Sequence, residues 1–197
     1  MALSTDPKEI LHEYLRRGRA ALLWKLEGLS EYDVRRPMTP TATNLLGVVK
    51  HVASVEAGYF GATFDRPFPQ SFPWWDDDAE VNADMWATAD ESREEIIDLY
   101  RRVSAHADET ITALPLDAIG HVPWWPEERR EVTLHRILVH MIAETERHAG
   151  QLDIVRELID GETGIRPGAS NVPDQDAQTW QAYRDRVEAA AREAGNR

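Results

Sequence analysis

The chain contains no cysteine, which excludes disulfides, thiolate metal ligands and a nucleophilic thiol of its own. Any thiol chemistry must therefore use a thiol supplied from outside. Lysine is nearly missing too, occurring only at Lys8, Lys25 and Lys50, and basic residues number 22 against 35 acidic ones. The formal charge of -13 repels phosphate backbones and anionic lipid headgroups, so neither nucleic acid nor a membrane surface is expected as a partner. No run approaches the ~18 apolar residues of a membrane span, and the start lacks both the basic and the apolar parts of an export signal. A cytoplasmic protein is expected. Strand-like alternation of any length is also lacking, which predicts an all-α fold, and 197 residues suit a single domain over 1–197.

What is present is helical periodicity. Asp6-Pro7 announces a first helix to about Gly28, with Ile10, Leu11, Tyr14, Leu15, Ala21, Leu22 and Leu26 on its core face. A loop with Pro37 and Pro40 ends in the capping residues Thr43 and Asn44. The second helix then runs from Leu45 to about Gly61. From Thr63 to Ala87 the chain is irregular, carrying Pro73-Trp74-Trp75 and the acidic run Asp76–Asp78, which reads as solvated. A structureless connection this long is uncommon and is often functional. A third helix is predicted from the Thr88–Glu91 capping box to about Leu114, and Pro115 stops it. The Val122-Pro123-Trp124-Trp125 stretch either plugs an end of the bundle or walls a substrate pocket. After Gly161 comes a Gly- and Pro-rich loop, then a last helix from about Asp176 to Ala194 bearing Trp180, Tyr183, Val187 and Ala190 at helical spacing. The economical architecture is a bundle of four principal helices with an added C-terminal helix.

The stretch Thr133–Gly161 stands out. At about 100° per residue, Leu134, Ile137, Met141, Thr145, Leu152, Val155 and Ile159 form one buried stripe. His148 falls inside it, with Glu144 about 40° aside and His140 a further ~40° out on the flank. Glu144 and His148 stack at i, i+4 and can reach one ion. A buried carboxylate needs a cation, and with no Lys or Arg on the stripe a metal would satisfy both residues. On the second helix His51 edges the apolar face and Glu56 lies near its middle, either in a core salt bridge or orienting a metal-bound histidine. His51 is the candidate third ligand, and two imidazoles with one carboxylate suit zinc or another divalent transition ion such as nickel or iron. His140 and Glu56 are the candidates for a fourth ligand or for outer contacts. Arg147 or Gln151 could hold an anionic substrate group. His106, His121 and His135 read as lying outside the core.

The segments LLGVVKHVASVEAGYFG and HMIAETERHAGQLDIVRELIDG resemble the DinB/YfiT-like superfamily of metalloenzymes, and the similarity extends over nearly the whole chain, VPWW included. It is greatest to the actinobacterial branch with a Glu-x-x-x-His motif, related to mycothiol-dependent maleylpyruvate isomerase. The resemblance implies a four-helix, up-down-down-up bundle, often a homodimer, with His51, Glu144 and His148 as metal ligands. The implied chemistry is transfer or thiol-dependent isomerisation using mycothiol or a similar small thiol, acting on a small-molecule electrophile. Hydrolysis of a small ester or amide by the same ion, and metal or ligand binding without turnover in a stress protein, are the competing readings.

Overall fold

The computed structural model describes residues 5–76, 78–170 and 172–196, which leaves Asp77 of the acidic run outside. Helix α1 spans Pro7–Trp24, with the Asp6 carboxylate accepting from the Lys8 amide. It stops four residues before Gly28 because the chain turns there, with Gly28 at φ 74°. A short helix α2, Glu31–Arg35, interrupts the loop that follows, capped by Ser30. Helix α3 is Leu45–Phe60, capped by Asn44 onto Gly47, and helix α4 is Arg93–Ala113. The capping box of α4 is Ser92 with Glu95. The predicted box at Thr88 and Glu91 lies in the connector, where Glu91 accepts from the Thr88 amide at 2.8 Å and pairs with Lys50. Helix α5 runs Leu134–Asp160, capped by Thr133 and ended by Gly161 at φ 82°, a left-handed position that glycine takes without steric cost.

The all-α expectation holds, with one small addition. Strand β1 (Ile119–His121) pairs antiparallel with β2 (Glu131–Thr133), Gly120 opposite Val132, and the VPWW stretch is the loop of this hairpin. Three-residue strands are too short to show alternation.

The helix directions follow from which residues meet. Lys8 reaches the carbonyls of Thr112 and Leu114, His12 meets Asp108, and Arg93 reaches the Leu26 carbonyl, so α1 and α4 are antiparallel. Gly18 faces Thr145 while Lys25 binds Asp153, so α1 and α5 are parallel. His51 faces His148 and Tyr59 faces His140, so α3 and α5 are antiparallel. The order is up-down-down-up. Two successive parallel helices, α3 and α4, require a chain that travels back along the bundle, roughly 24 Å for a helix of α3's length. That return path is the long irregular segment between them.

The core lies among α1, α3, α4 and α5, with Leu22, Leu46, Val49, Tyr100 and Leu152 in one cluster and Phe60, Ile111, Leu134, Ile137 and Met141 in another. Helix α6, Ala177–Gly195, buries no residue. No helix among the described residues is long and apolar enough to cross a membrane.

Candidate functional site

Two rows of side chains at i, i+4, i+8 spacing face each other across the antiparallel α3–α5 seam. On α3 the row is His51, Val55, Tyr59; on α5, in reverse, it is His148, Glu144, His140. The His51 and His148 rings meet edge to face with centroids 5.1 Å apart. At the other end Tyr59 and His140 meet in the same manner at 4.6 Å. Between them the seam opens into a cavity of ≈ 590 Å³ lined by Val55, Gly58, Tyr59, Trp75, Trp124, His140 and Glu144.

Both central imidazoles are held by Nδ1. His51 Nδ1 lies 2.6 Å from the Asp84 carboxylate, and the bond from His51 keeps that carboxylate below its ordinary pKa. His148 Nδ1 lies 2.9 Å from the Gln151 side-chain oxygen. Burial, helped by neighbouring His51, lowers the pKa of His148 and favours the neutral ring. Its Nε2 stands 3.8 Å from the Glu144 carboxylate.

Glu144 corrects the argument made from the helix wheel. Its side chain is 37 % exposed, against 12 % for His148, so it lines the cavity instead of entering the core. Desolvation therefore does not force a cation on it. Glu56 is the carboxylate that does sit in the core, at 0 % exposure, and it has a protein partner. Arg19 Nε donates to it at 3.1 Å, with a second contact at 2.7 Å, and Asp108 binds the same guanidinium. Burial pushes the Glu56 carboxyl above its ordinary range, and Arg19 offsets part of that shift. The salt-bridged alternative describes Glu56, and Asp84 is the residue that orients His51.

Imidazole and carboxylate donors fit a divalent transition ion, and engaging each Nδ1 leaves both Nε2 atoms available. Among the described residues, however, no group of three His, Cys, Asp or Glu stands in an arrangement that could hold an ion. His140 packs against Tyr59 and, at 5.5 Å, Trp125; burial lowers its pKa, while Glu144 opposes the shift.

The two Pro-Trp-Trp motifs converge. The return segment delivers Trp75 to the cavity, while Trp74 donates to Ser54 Oγ at 2.7 Å and lies under the Lys50 ammonium. The hairpin loop delivers Trp124, which Gly58 admits: a Cβ there would meet the indole at 2.8 Å. Trp125 donates to the Tyr59 hydroxyl at 3.1 Å. His121 and His135 are exposed as expected, whereas His106 is half-buried against Phe68. Arg147 is exposed.

Asp84 and Tyr59 were missed by sequence reasoning. Tyr59 carried a signal, since it lies eight residues after His51 as His140 lies eight before His148. Asp84, in an aperiodic loop, carried none.

Comparison with curated proteins finds no match to the chain. The sequence model of the family described as Mycothiol-S-transferase matches residues 10–161, a range holding all but the first three residues of α1, the whole of α2 to α5, the hairpin and every cavity residue named above. The chain belongs to the mycothiol S-transferase family.

Proposed function

We propose that this protein is a divalent-metal-dependent transferase that joins a small external thiol of the mycothiol type to an electrophile, with His51, Glu144 and His148 as metal ligands. One observation carries the reading. Two imidazoles with engaged Nδ1 atoms meet beside a carboxylate that has no other ion pair among the described residues, at the edge of an aromatic cavity. Zinc suits this donor set, and nickel or iron would be accepted by the same atoms. When bound, such an ion lowers the pKa of a coordinated thiol and so supplies a thiolate at neutral pH.

The protein's own residues do the rest. Asp84 and Gln151 fix the ring orientations of His51 and His148, and burial lowers the pKa of His148, which favours the neutral form that a ligand needs. Glu144, whose side chain is partly exposed and free to turn, would supply the carboxylate ligand. Tyr59, Trp75 and Trp124 take the apolar body of the electrophile and strip water from it. The absence of cysteine is consistent with this division, because the nucleophile then comes from the cosubstrate. Family membership supports the choice of thiol.

The test is turnover of zinc-loaded protein with mycothiol and a fluorogenic alkylating reagent, beside an ester substrate. Thiol consumption well above the uncatalysed rate is expected, falling to that rate in His51→Ala. Ester hydrolysis without thiol transfer would contradict the proposal.

A further inference from the structure

Beyond the cavity, α5 continues the row by one more turn: Arg136, His140, Glu144 and His148 succeed one another at i, i+4 spacing. Arg136 enters a second hollow of ≈ 250 Å³, lined also by Trp125, Pro126 and Arg129. Trp125 joins the two spaces. It walls this cleft, carries the Arg136 guanidinium 5.3 Å from its ring centroid, and packs against Tyr59 and His140 of the cavity. Neither Arg129 nor Arg136 is ion-paired among the described residues, although Glu127 and Glu128 precede Arg129 on the same turn. Among the described residues the aromatic cavity is lined by no Lys or Arg, and its charged lining group is the Glu144 carboxylate.

We propose that this cleft is an anchoring subsite for a carboxylate or phosphate group on the molecule that occupies the aromatic cavity. The inference rests on the cavity being the electrophile site, as proposed above. Among the described residues the cavity lining offers an anionic group no Lys or Arg, and the proposed ion is occupied by the thiol, whereas the two guanidinium groups next door offer forked donors matched to it. Arg136 lies about 12 Å from Glu144 along the helix axis, eight residues at 1.5 Å each. The ligand is therefore elongated, with its anionic group roughly that far from its reacting centre.

The experiment uses the full chain and its tryptophan fluorescence, since Trp124 and Trp125 line the two spaces. The probes are 6-phenylhexanoate, 6-phenylhexyl phosphate and the neutral 6-phenylhexan-1-ol. At least one anion is expected to bind about tenfold tighter than the alcohol, the return expected of a charge-assisted pair. Whether carboxylate or phosphate leads identifies the ligand's group, and either supports the subsite. In the Arg129→Gln, Arg136→Gln double variant the preference should shrink to about twofold while binding of the alcohol persists, and Arg136→Lys should keep part of it. Both arginines are exposed, so these variants fold, and Arg129→Gln alone leaves the Arg136–Trp125 stack intact. Equal binding of all three probes, or a preference that survives the double substitution, would overturn the subsite. Neither thiol nor metal enters the measurement. Loss of the subsite would leave thiol transfer standing, and failure of thiol transfer would leave this binding difference standing.

Discussion

Asp84→Ala is expected to weaken metal affinity by about 10- to 100-fold, the usual cost of removing the group that orients a ligating histidine. The Asp84 carboxylate lies 2.6 Å from His51 Nδ1 and is itself only 24 % exposed, so it fixes both the tautomer and the rotation of the ring. Without it, the proposed ion alone would have to order His51. Asp84→Asn keeps a hydrogen-bond acceptor and loses the charge, so its loss should fall between those of wild type and the alanine variant. Competition with a chromophoric zinc chelator measures the three proteins side by side. Identical affinities would remove Asp84 from the account while leaving the ligands untouched.

The second large effect is on stability. Arg19→Ala leaves the Glu56 carboxylate buried without its cation, and breaking a pair of this kind costs about 3–5 kcal/mol. Set against a typical domain stability of roughly 5–15 kcal/mol, that loss is severe. Glu56 is fully buried on α3, while Arg19 on α1 also binds Asp108 on α4, so one guanidinium ties three helices together. Replacing both members with apolar residues, Arg19→Met with Glu56→Leu, should recover most of the loss, because no charge is then stranded. Urea denaturation of the wild type and the two variants makes the comparison. A single variant within about 1 kcal/mol of wild type would mean that Glu56 takes up a proton at little cost.

The helices were legible because their stripes and caps are local. Asp6 and Asn44 cap as the sequence suggests, and the stretch bounded by Thr133 and Gly161 is the helix its periodicity describes. Residues whose roles depend on a neighbouring helix were not legible. On its own wheel Arg19 sits beside the apolar face of α1, and nothing local says that Glu56 waits across the interface. Glu144 shows the same limit from the other side. Its angle on α5 was read correctly, but the seam opens there because loops, not helices, cover it. The facing of His51, Glu144 and His148 follows from the antiparallel α3–α5 packing. Asp84 and Trp75 arrive on a return path whose length was readable and whose course was not.

The central claim is that this constellation holds a metal ion. Its most direct test is elemental analysis by inductively coupled plasma mass spectrometry on purified protein dialysed without added metal, with wild type beside His148→Ala. The account predicts about one zinc, nickel or iron per chain in the wild type and little in the variant. A wild type that stays metal-free after incubation with those ions would contradict it, and His51, Glu144 and His148 would then be a polar network beside an aromatic cavity.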